Sequence, residues 1–290
     1  MLSLHTNNAA LSAQSSLSKT QSSLTTSMTR LSTGYRINSA MDDAAGLQIA
    51  TRLKAQTSGM AVAMRNTQNS TSMLQTAEGA LDEVTNMLVR MKDLATQASD
   101  ASSSSSDKTA MQSEYDNLGK EIQNIMSNTK FGGQSLLKSG TISSSITFQI
   151  GADSSEKMTL DLSSDMGATG AVFSALGSAS AYAGATASTA TAGTELTSTA
   201  NATINLISTA IDKISGVRSS LGATANRLDH VYNNLQNISS NTKAATGRIM
   251  DVDFATESAD MTSNQMLLQA STAMLKQTNS MSSMVMSLLQ

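Results

Sequence analysis

Leu53 to Ala98 reads LKAQTSGMAVAMRNTQNSTSMLQTAEGALDEVTNMLVRMKDLATQA, and its spacing decides the fold. Leu53, Met60, Thr67, Leu74, Leu81, Leu88 and Ala95 recur at every seventh position, with Ala63, Ala77, Val84, Met91 and Ala98 three places further on. Such a repeat lays one stripe along one side of a helix, and the stripe must be buried against another helix. The pattern predicts a helical seam over most of residues 44–99, roughly 80 Å long at about 1.5 Å per residue. A compact domain has no use for a helix of that length, so the seam predicts a rod.

Downstream, Ser99 to Ser106 reads as a serine-rich turn, with Asp107 placed to cap the next helix. Met111, Tyr115, Leu118, Ile122 and Ile125 form a second seam, and Gly132-Gly133 reads as its terminating turn. Two helices joined this way are predicted to fold back antiparallel. Ile146, Phe148 and Ile150 then alternate with Thr147 and Gln149, and Met158, Leu160 and Leu162 alternate with Thr159 and Asp161. With Gly151 and its polar neighbours between them, the two runs predict a β-hairpin. Ile207, Ile214, Leu221, Leu228 and Leu235 restore the step of seven, joined by Ile211 and Tyr232, and predict a third long helix to about Ala245. Residues 163–203 hold only two charges, Asp165 and Glu195, among small side chains, so a loose excursion is expected there, with Val172, Phe173 and Leu176 as its anchors.

Composition agrees with helices packed side by side. Among 290 residues there is no Pro, Cys or Trp, and aromatics make up 3%. A thick globular core would be short of large side chains, while a helical bundle needs fewer. Without proline the commonest cause of helix breaks is gone. Without cysteine there is no disulfide framework, thiolate zinc site or thiol catalysis. A net charge of −3 leaves no basic footprint for nucleic acid.

The two ends carry apolar stripes of their own, at Leu11, Leu17, Leu24 and Leu31 and at Leu267, Met274, Met281, Val285 and Leu288. Polar residues interrupt both well before the ~18 apolar residues of a membrane span, so the expected partner is another helix. The start MLSLHTNNAALSAQ lacks the basic and apolar regions of a secretory signal, and no cleaved signal peptide is expected. Asp42 and Asp43, and Asp251, Asp253 and Glu257, sit at helix boundaries where carboxylates cap and complement the dipole, which is preferred to catalysis or metal binding. His5 and His230 stand apart without an acid at triad spacing. No catalytic, cofactor or metal constellation emerges.

Two stretches resemble a known family. Leu31-Ser-Thr-Gly-Tyr-Arg-Ile-Asn-Ser-Ala-Met-Asp-Asp-Ala-Ala-Gly-Leu is similar to the N-terminal signature of bacterial flagellins. Arg248-Ile-Met-Asp-Val-Asp-Phe-Ala-Thr-Glu, with the tail Val285-Met-Ser-Leu-Leu-Gln, is similar to their C-terminal signature. The resemblance covers roughly 1–162 and 195–290, and suits a short form with a minimal outer domain, lateral filaments being one system it fits.

The resemblance implies a mainly α fold, a long antiparallel helical rod with terminal coiled-coil helices, one β-hairpin near 146–162 and a small variable insert. Residues 1–40 with 250–290 would form an inner coil, 41–162 with 195–249 the rod, and 163–194 a short exposed insert. Leu11, Leu17, Leu24, Leu31, Leu267, Met274, Met281, Val285 and Leu288 would assemble the coil, and Arg36, Asn38, Asp42 and Asp43 would form a spoke between layers. The implied partners are further copies of the chain, a flagellin export chaperone, the flagellar type III export apparatus, and hook-associated junction and cap proteins. Neither nucleic acid nor membrane is implied. Arg90, Asp93, Leu94, Gln97 and Glu114 resemble a stretch read by a vertebrate Toll-like receptor, with Asp93 where the pattern has a longer carboxylate. The implied function is that of an extracellular motility-filament subunit, and a hook–filament junction protein with the same end helices is the alternative.

Overall fold

With no proline in the chain, helices end only where caps or turn residues end them. The computed structural model describes residues 7–182 and 193–288, with side chains as far as 281. In chain order its elements are α1 (Asn8–Thr33), α2 (Ala44–Ser99), α3 (Ser105–Asn128), β1 (Lys130–Phe131), β2 (Gln134–Ser135), β3 (Ile146–Gln149), β4 (Lys157–Leu160), α4 (Ser163–Met166), α5 (Ala171–Ala179), α6 (Glu195–Ser198), α7 (Ala200–Met250) and α8 (Phe254–Leu288). The fold is mainly α, as the seams predict. Contacts divide it into one unit of 1–57 with 240–290 and another of 58–239.

In the second unit the predicted seam is the core. Leu74, Leu81, Leu88 and Ala95, with Ala77, Val84, Met91 and Ala98, are buried together with Ile207, Ile214, Leu221 and Leu228 of α7. Ala210 and Val217 complete the α7 stripe three residues after Ile207 and Ile214. The two helices run antiparallel: Leu235 packs with Met60 and Ala63, while Arg218, earlier in α7, lies 3.0 Å from Glu78 and 2.8 Å from Asp82, later in α2. From α3, Tyr115, Ile122 and Met126 join the same core. The cap of α3 is Ser104. Its hydroxyl accepts from Asp107 N, and Asp107 as third helical residue accepts from Ser104 N, a capping box in which the predicted cap is the reciprocal partner.

Gly132-Gly133 plays a different part from the expected one. Helix α3 already ends at Asn128, and the two glycines, with φ of 58° and 85°, make the two-residue turn between β1 and β2. Positive φ at both central residues is what such a turn requires and what glycine supplies without strain. The larger hairpin is as predicted, with β3 and β4 antiparallel and Ile146 opposite Leu160. Phe148, Met158 and Leu160 face the core, and the tip reaches α2, where a Cβ on Gly59 would stand 2.8 Å from Ala152 Cβ.

The expected loose excursion is corrected over 163–182. Met166, Val172, Phe173, Leu176 and Ala179 are buried in the main core. Few large apolar groups are enough here because they recur at helical spacing and enter a core already built by the long helices. A buried polar network ties both flanks down. Gln112 Nε2 donates to Asp116 Oδ1 (2.7 Å) and Glu195 Oε2 (2.8 Å), and its Oε1 accepts from Leu196 N (2.7 Å). Glu195 Oε1 accepts from Ala181 N at 2.8 Å, and Tyr115 Oη donates to Ala179 O at 2.6 Å. Burial, then the Glu195 and Asp116 carboxylates, push the Tyr115 phenol far above its usual range, so it stays a donor at any physiological pH. The rest of the expected insert, 183–192, lies outside the described residues.

Candidate assembly surface

In the first unit, α1 and α8 lie antiparallel. Asn7 Nδ2 donates to Thr278 O at 3.4 Å near one end, and Arg30 Nη1 lies 3.6 Å from Glu257 Oε2 near the other. Glu257 is in the first turn of α8 and Arg30 in the last turn of α1, so each charge also opposes the dipole of its own helix. Along α1 a stripe of Ala10, Ala13, Leu17, Thr20, Leu24, Ser27 and Leu31 loses exposure, with Arg30 beside it where it meets Glu257; along α8 the stripe is Glu257, Met261, Asn264, Leu268, Ser271, Leu275 and Thr278. Both sets alternate steps of three and four, the rhythm of a coiled pair.

Leu17, Leu24 and Leu31 therefore lie on the pairing face, whereas four of the expected coil residues do not. Leu11 is 70% exposed, Leu267 52%, Met274 63% and Met281 59%. The side chains of Val285 and Leu288 lie outside the described residues. A one-residue offset turns a side chain by about 100° around a helix, so Leu268 and Leu275 pair while Leu267 and Met274 look away. Apolar residues alone pick out a different stripe from the one that pairs with α1, because four of the seven pairing positions on α8 are polar: Glu257, Asn264, Ser271 and Thr278. The 4,3,4,3 spacing from Glu257 to Thr278, polar residues included, is the signal that finds it.

The outward sides of this pair are unusually apolar. Phe254 (57% exposed) and Met266 (61%) join Leu267, Met274 and Met281 on α8, and Met28 joins Leu11 on α1. Neither helix has a described neighbour covering these side chains, and one helix pair cannot bury two apolar faces per helix.

Both helices are held by the segments 34–43 and 251–253. Helix α1 stops at Gly34, whose φ of 75° lets its N–H reach Arg30 O. Tyr35 and Asp251 then form an isolated antiparallel bridge, in which Arg36 N donates to Met250 O (2.6 Å) and Val252 N to Gly34 O (3.0 Å). Arg36 Nη2 adds a bond to Ile249 O at 3.0 Å, and Asn38 Nδ2 donates to Thr33 Oγ1 at 2.8 Å. Asp43 caps α2 by accepting from Gly46 N at 2.8 Å, and Asp253 caps α8 by accepting from Ala255 N and Thr256 Oγ1. Ile37, 2% exposed, packs so close to Gly46 that a side chain there would strike it.

Asp42 closes the turn, accepting from Ser39 N (2.8 Å) and Asn38 N (3.0 Å). These amides, Ser39 first, hold its carboxyl below the usual value of 3.8. A carboxylate depressed on folding stabilises the fold fully above its unfolded value and loses that contribution as pH falls through the folded one. Acidification below about pH 4 is therefore expected to loosen this turn, and Asp42→Asn to remove that part of the acid response. Amide exchange at Asn38 and Ser39 across pH 2–5 measures it; an unchanged profile in Asp42→Asn would refute the assignment.

The residues with receptor resemblance fall on the other unit and are only partly brought together. Arg90 Nε and Nη2 both donate to Glu114 Oε1, at 2.9 and 2.7 Å, linking α2 to α3 across an exposed face that also holds Asp93 and Gln97. Leu94 is corrected: it is 3% exposed and packs in the core with Met91, Ala95 and Ala98, so it offers no surface to a partner. Among the described residues no three His, Cys, Asp or Glu side chains converge as metal ligands, and no helix is long and apolar enough to cross a membrane.

Comparison with known proteins adds an independent line. Residues 4–141 match the family described as the bacterial flagellin N-terminal helical region, and residues 204–289 match the flagellin C-terminal helical region. A flagellin of Halalkalibacterium halodurans is 38% identical over 268 residues, 91% of this chain and 90% of that protein. A flagellin of Bacillus subtilis is 36% identical over 301 aligned residues, 98% of each chain. Among solved structures, a protein described as flagellar hook-associated, from Vibrio parahaemolyticus, covers 72% of this chain and 100% of its own with a TM-score of 0.55. At 15% identity it shares the fold alone.

Proposed function

The chain belongs to the bacterial flagellins, a structural and not an enzymatic family, and from that premise we propose that it polymerises into an extracellular helical filament that serves motility. The observation that carries this reading is the second apolar face of the α1/α8 pair, with Leu11, Leu267, Met274 and Met281 all more than half exposed. In a filament each such face meets the helices of neighbouring copies, in heterologous contacts that propagate without closing. On this reading residues 1–40 and 250–290 form the inner coil, 41–162 with 195–249 the rod, and Arg36, Asn38, Asp42 and Asp43 serve as the spoke between those layers. The inward faces of α1 and α8 hold one subunit's own pair together, and the outward faces supply the polymer.

Electron microscopy of the purified chain tests the proposal. Long tubular filaments are expected from the full chain, and none after removal of residues 1–33 and 254–290. Filaments that persist after trimming, or a full chain that forms only short capped stubs, would contradict it; the second result favours the hook–filament junction role.

A further inference from the structure

The outward face of α8 is rich in one oxidisable atom type. Met266, Met274 and Met281 are 61%, 63% and 59% exposed, and lie within about 100° of one another around the helix. Met28 on α1 (57%) and Met41 in the turn before α2 (95%) are exposed as well, but among the described residues α8 alone carries three such sulfurs on one face, whereas Met91, Met126 and Met166 of the second unit are each 0% exposed. The chain has no cysteine and no tryptophan, so a mild peroxide meets thioether sulfur as its only readily oxidised side-chain group. Exposure then decides which methionines react.

We infer that α8 is a peroxide-sensitive modification site, at which sulfoxidation of Met266, Met274 and Met281 in the free subunit blocks its addition to the filament. In each event a sulfur lone pair attacks the terminal oxygen of the peroxide. The S–O bond forms as the O–O bond breaks, sulfur loses two electrons, the peroxide is reduced, and the departing hydroxide takes a proton to leave as water. The product is polar and a strong hydrogen-bond acceptor, where the thioether was an adaptable apolar group. A face that has to be dried against a neighbouring subunit is the place where this change matters, since an acceptor buried there without a donor opposes contact. The inference rests on the assembly reading above and adds a chemical state that controls it: the sulfurs are open in the unassembled chain and covered after incorporation.

The test uses the full chain, hydrogen peroxide, and elongation of seeds sheared from untreated filaments. Peptide mass spectrometry of treated free subunit is expected to find sulfoxide at Met266, Met274 and Met281 at least about tenfold ahead of Met91, Met126 and Met166. Elongation should fall in step, with the critical concentration rising about tenfold or more, and should return after methionine sulfoxide reductases A and B act with dithiothreitol. The same three positions in preformed filaments should oxidise about tenfold more slowly. A triple variant, Met266→Leu with Met274→Leu and Met281→Leu, measured against its own untreated rate of seed elongation, should lose a much smaller fraction to peroxide than the wild-type subunit does, the remainder being the response of Met28 and Met41. Normal elongation by wild-type subunit carrying sulfoxide at all three positions would overturn the inference, as would equal peroxide sensitivity in the triple variant. An untreated chain that never elongates seeds would sink the assembly reading, and this one with it.

Discussion

Leu267→Asp is expected to abolish filament formation while leaving the free subunit folded, and Leu268→Asp one residue later is expected to disorder the subunit's own terminal helices. The two positions differ by about 100° around α8: Leu267 is 52% exposed, whereas Leu268 belongs to the stripe that faces α1. At Leu267 a carboxylate costs the free chain almost nothing, because water solvates it. In the filament it would be dried without a partner, a penalty of about 3–5 kcal/mol per subunit, which raises the critical concentration by roughly 10²–10³-fold or more. Circular dichroism of the subunit and sedimentation of polymer separate the outcomes. Normal polymer from Leu267→Asp would remove the outward face from the assembly account. Equal helix loss in both variants would show that the register of the α1/α8 pair is wrong.

Phe173→Ala should cost the second unit a large part of its stability. Phe173 is 2% exposed and packs in the same core as Leu81, Leu88 and Ile214. Removing a buried aromatic ring costs about 3–5 kcal/mol, equivalent to a fall in Tm of roughly 6–20 °C for a unit of this size. Ser174→Ala, on the exposed side of the same short helix, is the control and should change Tm little. This contrast bears on the region expected to be a peripheral insert. Were 163–182 dispensable, Phe173→Ala would be nearly silent; given the burial of Met166, Val172 and Leu176 around it, deleting the segment would open the core.

Much of this fold is legible in order of residues alone, and the reason differs by element. The α2 stripe at Leu74, Leu81 and Leu88 is buried as read, because a strict step of seven over many turns fits no other backbone. The β3/β4 hairpin is equally plain, since alternation around a glycine-containing turn is incompatible with helix. Residues 163–182 were hidden because their anchors are few and their worth depends on a core supplied by distant helices. Gln112, Asp116 and Glu195 gave no local sign either: Gln112 and Glu195 meet only after the chain has run out and back, and each polar atom is tolerable there only because the others satisfy it.

The candidate surface divides the same way. That both ends are amphipathic helices follows from periodicity, a property of nearest neighbours along the chain. Which side of each helix is inward does not follow, because Leu267 and Leu268 are adjacent and equally apolar, and only the antiparallel pairing that sets Arg30 beside Glu257 chooses between them. Local pattern measures how much apolar surface a helix must hide. The placement of a second helix determines which part is hidden within one chain and which is left for the next.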